Sequence, residues 1–82
     1  MTISVPIRHE IIEALLDPAG YRKKLDQNQT VFWGQFAVTQ SSGSRYETGS
    51  RDIPAPVKLL LALKIAGRIT DTDLEDAEQF YK

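Results

Sequence analysis

Apolar residues recur at helical spacing along the chain, and capping residues separate one series from the next. Pro6 can occupy the first turn of a helix, and the residues after it give one apolar series: Ile7, Ile11, Ile12, Leu15 and Leu16. Asp17-Pro18 then combines a helix cap with a first-turn proline. The pattern predicts one helix opened by Pro6 and a second that runs from Pro18 to about Leu25.

Two short helices are predicted in the middle of the chain. Asn28 caps the first of them, in which Val31, Phe32 and Phe36 are apolar. Thr39 caps the next, and Gly49 can close it in a left-handed conformation.

The last third of the chain predicts two more helices. Pro54 and Pro56 introduce the most apolar one, over residues 57–66, and Gly67 ends it. Thr70 and Asp73 can cap the final helix, over residues 71–81, whose acidic residues lie near its positive amino end. The only β-prone stretch, residues 30–38, carries caps and helical spacing, so the predicted class is all-α with five to six helices.

Composition narrows the function classes. The 82 residues include no cysteine and one histidine, which excludes disulfides, thiolate zinc sites and cysteine nucleophiles. His9 has no partner set and is interpreted as a surface residue. No metal-ligand spacing, phosphate-cradling glycine loop or nucleophile elbow occurs in the sequence. We therefore expect no cofactor, no metal and no enzymatic activity. The longest apolar run is far shorter than a membrane span, and the amino terminus lacks a secretory pattern, so a cytoplasmic protein is expected.

Charge divides the chain into three parts. Residues 1–17 carry a net charge of −2, residues 18–68 carry eight basic against three acidic groups, and residues 69–82 carry −4. A basic middle between acidic ends suggests a surface that meets a polyanion, although charge blocks this short are also common on solvated helices. We divide the single domain accordingly into an amino-terminal helical extension (1–17), a core (18–68) and an acidic helix (69–82).

Residues 29–48 have the pattern of a helix-turn-helix. Phe32 is the apolar residue of the first helix, Ala37 is the small residue that opens the turn, and Val38 follows as an apolar plug. Thr39 caps the second helix, and Tyr46 is its apolar anchor. A short turn tolerates little bulk, and three anchors must meet to fix the angle between the helices.

The same segment resembles the lambda-repressor-like family of DNA-binding domains, the Cro/cI or XRE type. The matching residues are Asn28-Gln29, Ala37-Val38-Thr39-Gln40-Ser41, Ser44-Arg45-Tyr46-Glu47-Thr48-Gly49 and Pro54. The resemblance covers about residues 18–68 of the chain. Within the family, the chain is similar to small phage- and plasmid-borne repressors. It implies a regulator whose second motif helix lies in the major groove of double-stranded DNA.

The resemblance also implies roles for individual residues. Base contacts are expected from the amino-terminal part of the second helix, namely Gln40, Ser41, Ser44 and Arg45, whose side-chain types suit base edges. Phosphate contacts are expected from Asn28, Gln29, Thr39 and Arg51. Glu47 is expected to pair with Arg22, since a free carboxylate there would repel phosphate; the alternative is a free surface carboxylate. Lys23 and Lys24 are either phosphate contacts or solvated lysines.

Two positions depart from the family pattern. Trp33 stands where alanine is usual, and Gly43 stands where isoleucine or valine is usual. We interpret them as a compensating pair in which one position gains the bulk that the other loses. The alternative is an exposed Trp33 that forms a surface for a partner.

The sequence therefore predicts a transcriptional regulator that binds a palindromic operator as a homodimer and acts as a repressor. It would lie in the bacterial nucleoid, or in the host cytoplasm if encoded by a phage. Candidate dimer surfaces are the first helix (Ile7, Ile11, Ile12, Leu15) and the carboxy-terminal part (Leu74, Phe80, Tyr81). The rival hypothesis is an antitoxin-like module that binds a second protein, with DNA binding secondary.

Overall fold

The computed structural model describes residues 2–82, and within them the chain is all-α, as predicted. It has six helices: α1 (Val5–Leu16), α2 (Pro18–Lys24), α3 (Gln29–Gly34), α4 (Gln40–Thr48), α5 (Ala55–Ile65) and α6 (Asp71–Glu78). None of the helices in this part of the chain has the length and apolar character needed to cross a bilayer.

Side-chain caps fix where four of the helices begin. The Asp17 carboxylate accepts a hydrogen bond from the Gly20 amide at 3.1 Å, and the Asn28 side chain accepts one from Val31 at 2.8 Å. Thr39 caps α4 through the Ser42 amide at 3.1 Å. Thr70 and Asp73 form a reciprocal capping box at the start of α6. These caps lie where the sequence predicts them.

Two helix ends differ from the prediction. Helix α5 begins at Ala55 and includes Pro56, because a proline in the first turn removes an amide that has no partner within the helix. Helix α6 ends at Glu78, and the next residues form tight turns, such as the 3.2 Å bond from the Phe80 amide to the Ala77 carbonyl. Phe80 is 91% exposed, so no burial stabilises a further helical turn.

The core lies between α1, α3 and α5. Its members are almost fully inaccessible to solvent: Ala14, Phe32, Trp33, Phe36, Ile53 and Leu61. Phe32 meets Trp33 and Phe36 edge to face, with ring centroids 5.0 and 5.8 Å apart. Such aromatic geometry adds to the stabilisation from burial.

Helix α1 packs against α2 and α5 and is part of the folded core. Ile11 and Ala14 are buried, whereas Ile12 and Leu16 face solvent. The expectation that Ile11 belongs to a dimer surface is therefore wrong, because its side chain is already covered within the chain. The exposed apolar residues of α1 are on another side of the helix.

Candidate nucleic-acid interface

A tight turn joins α3 to α4 and depends on one left-handed residue. Ala37 has a φ of 60°, and the Val38 amide then donates to the Trp33 carbonyl at 3.1 Å. A left-handed conformation is costly for every residue with a β-carbon and is worse for bulky ones. This explains why a small residue is needed at position 37.

The inner face of α4 is shaped to receive Trp33. The indole is fully buried, and a β-carbon built on Gly43 would overlap with Cδ1 and Cγ of the ring. The Tyr46 ring lies edge-on to the indole, with centroids 5.4 Å apart. The interpretation of Trp33 and Gly43 as a compensating pair thus agrees with the structure, and the alternative of an exposed tryptophan is wrong.

A buried carboxylate connects three helices. The Glu47 side chain on α4 is only 4% exposed, and it accepts a bidentate pair of hydrogen bonds from Arg22 on α2. Arg22 Nε lies 2.8 Å from Oε2, and Nη2 lies 3.0 Å from Oε1. A third guanidinium nitrogen of Arg22 donates to the Gln27 carbonyl at 2.9 Å. The structure therefore contains the ion pair that the family resemblance implied.

Two more donors on α3 complete the surroundings of Glu47. Trp33 Nε1 donates to Oε2 at 2.7 Å, and Gln29 Nε2 donates to Oε1 at 3.0 Å. The sequence pattern did not reveal either bond. A buried indole needs an acceptor for its N–H, so the sequence could suggest that Trp33 has a partner. Only the folded arrangement of α3 and α4 shows that this acceptor is Glu47.

These donors decide the charge state of Glu47. Burial alone raises the pKa of this carboxyl, but the hydrogen bonds from Arg22, Gln29 and Trp33 and the charge of Arg22 together lower it below its ordinary value. The hydrogen bond to Glu47 correspondingly raises the pKa of Arg22. Glu47 is therefore ionised at neutral pH and acts only as an acceptor.

The outer face of α4 is polar and accessible. Gln40, Ser41 and Arg45 are exposed, and Ser44 is half-buried on the same side. Gly43, Tyr46 and Glu47 lie on the inner face of α4. Gly43 and Tyr46 contact Trp33 on α3, and Glu47 pairs with Arg22 on α2. All four residues expected to contact bases thus lie together on the face that is not used for packing.

A hydrogen bond to Gln29 on α3 holds the Gln40 side chain. Its Nε2 donates to Gln29 Oε1 at 2.8 Å, so a continuous series of hydrogen bonds links Glu47, Gln29 and Gln40. Gln29 was expected to contact phosphate, but both ends of its amide are engaged within the protein. One of its two amino hydrogens is left for any other acceptor.

The other residues expected to contact phosphate lie around the start and end of α4. Asn28 and Thr39 are exposed helix caps whose side-chain oxygens already accept from the backbone, which leaves their N–H and O–H groups for other acceptors. Arg51 is exposed in the loop after α4, and its amide donates to the Arg45 carbonyl at 3.3 Å. That bond ties the loop to the end of the helix.

Internal ion pairs reduce the charge that the basic middle of the chain presents. Arg22 pairs with Glu47, Lys24 with Glu13 on α1, and Lys64 with Asp71 at 2.8 Å. Among residues 18–68, five basic residues remain exposed and have no ion pair with any described residue: Lys23, Arg45, Arg51, Lys58 and Arg68. Fewer cations therefore remain for an anionic partner than the sequence suggests.

The two joined helices and the polar outer face of α4 define a helix-turn-helix DNA-binding domain. Residues 19–64 match the model of the RsaL-like HTH domain, a match that spans more than half of the chain. The chain therefore belongs to the RsaL-like helix-turn-helix family. Searches of curated proteins and of solved structures gave no significant match.

The family match confirms the predicted helix-turn-helix and indicates DNA-binding transcriptional regulation. It does not distinguish the lambda-repressor-like subtype, which remains a prediction. The matched segment begins in α2 and ends in α5, so α1 and α6 lie outside it.

Proposed function

We propose that the protein is a lambda-repressor-like transcriptional regulator that inserts α4 into the major groove of an operator. The observation that carries this proposal is the division of α4 into two faces. One face is locked to the core through Gly43 and Glu47, and the other exposes Gln40, Ser41, Ser44 and Arg45. Glutamine pairs with adenine, arginine with guanine, and serine with either, so the exposed face has the chemistry for reading bases.

Phosphate contacts would come from residues that flank α4. Asn28 and Thr39 lie at the amino ends of α3 and α4, where side-chain groups and the helix dipole favour an anion. Arg51 lies beyond the other end of α4 and would contact a phosphate there. Gln29 would contribute only through its second amino hydrogen.

A homodimer is the second part of the proposal. Exposed apolar residues lie one turn apart on two packed helices: Ile12 and Leu16 on α1, and Leu59 and Leu63 on α5. Leu16 is 81% and Leu59 is 65% exposed, and a second copy would remove this surface from water. Two copies related by symmetry bind half-sites about 34 Å apart, which is one turn of DNA.

Repression follows from occupancy in this proposal, because a dimer bound over a promoter excludes polymerase. The regulator would act in the cytoplasm, where the DNA of a bacterium or an infecting phage is found. Helix-turn-helix regulators are typically non-enzymatic, and no catalytic step is part of the proposed role.

Selection of bound fragments from random DNA with the purified protein tests this function. We expect a palindromic consensus with two half-sites one helical turn apart. Gln40→Ala should erase the preference at one base pair in each half-site and leave the other positions unchanged. Failure to enrich any sequence would contradict the proposal.

A second candidate function is an antitoxin-like module that binds another protein. Burial of Trp33 removes one reason for it, but a groove of about 340 Å³ between α3 and α6 supports it. Exposed Val31 and half-buried Leu74 line the groove beside Asp71, Glu75 and Glu78. If no DNA sequence is enriched, binding of another protein at this groove becomes the better candidate for the function.

A further inference from the structure

The groove between α3 and α6 has two chemically different sides. The α3 side carries no charge, since no residue of that helix is ionisable, and it presents Val31, which is 54% exposed. A β-carbon built on Gly34 would meet no atom within 4 Å, so the groove is open at that point. The α6 side contributes Leu74 and three carboxylates, Asp71, Glu75 and Glu78.

The carboxylates of α6 form a stripe along one face of the helix. Asp71 and Glu75 are four residues apart, and Glu75 and Glu78 are three apart, which places all three side chains on the same side. Like charges at these spacings repel each other and destabilise a helix. An exposed apolar strip and a row of negative charge therefore run side by side in the groove.

Helix stability does not account for the whole stripe. Asp71 lies at the amino end of α6, where the helix dipole favours a negative charge, but Glu75 and Glu78 lie in its second half, where the dipole opposes one. Lys82 pairs with Glu78 and Lys64 pairs with Asp71. Glu75 has no ion pair with any residue that the structure describes. Its charge is thus free for a cation from outside the chain.

Gln27 adds an unsatisfied acceptor to the same groove. Its side-chain Oε1 is shielded from solvent and has no hydrogen-bond partner within residues 2–82, although Gln27 lines the groove. Shielded polar atoms in folded proteins almost always have a partner. An N–H donor bound in the groove would satisfy this oxygen once the side chain rotates towards it. The acceptor and the carboxylates therefore favour the same kind of ligand, one that carries N–H donors.

We propose that the groove docks a basic amphipathic helix of a second protein. Its apolar side chains would pack on Val31 and Leu74, and lysine or arginine side chains at the same helical spacing would pair with the stripe on α6. An amphipathic helix in an apolar groove is a common mode of peptide recognition, and charge complementarity fixes which helix is accepted. This inference rests on the second candidate function, whose partner it describes, and it does not require DNA binding.

The groove is separate from the surface proposed to contact DNA. None of the residues proposed to contact bases or phosphates lines it. Its carboxylates would also repel the phosphate backbone. A partner helix can therefore dock while α4 occupies a major groove, and the two binding events can be measured independently.

The probe for the test is a synthetic helical peptide of about 15 residues with capped ends. It is based on alanine and carries leucine and arginine together on one face. The control peptide has the same composition in an order that distributes the arginines around the helix. Titrations of the fluorescein-labelled peptides with the full chain should show that the first peptide binds at least about tenfold more tightly than the control.

Variants of the protein locate the binding site. Glu75→Lys should weaken binding of the first peptide by at least about tenfold, because it places a cation opposite arginine. Asp76→Lys is the matched control, since it changes the net charge equally at an exposed neighbour on α6 that does not line the groove. Screening by salt should keep its effect within about threefold. Gly34→Leu should fill the groove and weaken binding without any change in charge.

Three results would overturn the proposal. Equal affinity for the two peptides, or equal losses in Glu75→Lys and Asp76→Lys, would show attraction by net charge alone. Conversion of a dimer to a monomer by Gly34→Leu in sedimentation would show that a second copy covers the groove. In the wild-type chain, which needs no variant to fold, NMR shifts on adding the first peptide should be largest for the amides of Val31, Leu74 and Glu75. Shifts confined to other helices would also overturn it.

DNA binding is scored separately in the same variants. Glu75→Lys and Gly34→Leu should keep the base preferences of wild type, because neither residue lies on the outer face of α4. A protein that selects a DNA sequence but does not distinguish the peptides would refute the docking site alone. A protein that docks the first peptide but selects no DNA sequence would refute the regulator and leave the docking site supported.

Discussion

The indole of Trp33 occupies the space next to the α-carbon of Gly43 that any side chain at position 43 would need. Trp33→Ala should leave a cavity and cost about 3–5 kcal/mol of unfolding free energy. Gly43→Ile should overpack the contact and displace α4. The double variant should recover much of the packing, although the bond from the indole to Glu47 stays lost.

Thermal melts of the four proteins form a double-mutant cycle in which we expect a coupling of about 0.5–3 kcal/mol. Trp33→Phe separates the two contributions, since it keeps an aromatic ring and removes the N–H. Additive effects of the two single changes would contradict the structural pairing.

Acid should destabilise the protein partly through Glu47. Its pKa is lowered in the folded state, so the ion pair with Arg22 contributes fully at pH values above the ordinary carboxyl pKa of 4.5. The contribution is lost as the pH falls through the lower folded value. The difference in unfolding free energy between wild type and Glu47→Gln should therefore shrink as urea melts move from pH 7 into that acid range.

Glu75→Gln is the control for the acid experiment, because Glu75 is exposed on α6 and has no ion pair within residues 2–82. Its difference from wild type should stay small at every pH. If Glu47→Gln and Glu75→Gln have the same pH profile, the buried pair is not responsible for the acid sensitivity.

The turn of the motif offers a stabilising change. Ala37 is left-handed, with a φ of 60°, and glycine adopts this conformation without steric cost. Ala37→Gly should raise the unfolding free energy by about 0.5–1 kcal/mol, because relief of strain exceeds the added entropy of the unfolded chain. Gly34→Ala is the control, because a β-carbon at that position meets no neighbouring atom. It measures how much the unfolding free energy responds to a one-carbon change in α3 outside the turn. Destabilisation by Ala37→Gly would refute the strain argument.

Arg45 and Lys23 should differ in how they affect DNA binding. Arg45→Ala should cost about 1–3 kcal/mol on the preferred site and relax one base position. Lys23→Ala should weaken binding to all DNA sequences alike. It should also reduce the slope of the logarithm of the binding constant against the logarithm of the salt concentration by about one in magnitude. Lys24→Ala is its neighbour control and should have a smaller effect, since Lys24 pairs with Glu13. Equal losses on every sequence for Arg45→Ala would argue against base reading.

Dimerisation should depend on the surface formed by α1 and α5. Leu59→Asp should shift a dimer to monomer in sedimentation while the fold persists, because Leu59 is exposed in the single chain. Ile11→Asp should instead unfold the chain, since Ile11 is buried. Phe80→Asp tests the carboxy-terminal surface. A monomer produced by Phe80→Asp but not by Leu59→Asp would move the interface to that end.

Features that depend on a few neighbouring residues could be predicted from the sequence. Asn28, Thr39 and Thr70 cap helices through amides three residues away, so short spacing was enough to identify them. The exchange of bulk between Trp33 and Gly43 was also visible, because a family pattern supplied the usual residues at both positions.

Features that depend on the angle between helices could not be predicted in the same way. The bond from Gln29 to Glu47 joins residues on α3 and α4, and periodicity gives no distance between them. The burial of Ile11 rather than Ile12 required knowing which side of α1 meets α5. Pairing of Lys24 with Glu13 likewise depends on how α1 lies against α2.

Trp33 also gives the molecule its own optical reporter. It is the only tryptophan in the chain, its ring is shielded from water, and its N–H bonds to the carboxylate that connects α2, α3 and α4. Its fluorescence therefore comes from one environment and shifts to longer wavelength when that environment opens to solvent. Unfolding, and any movement of α4 against α3 when a ligand binds, can be followed in the unlabelled protein.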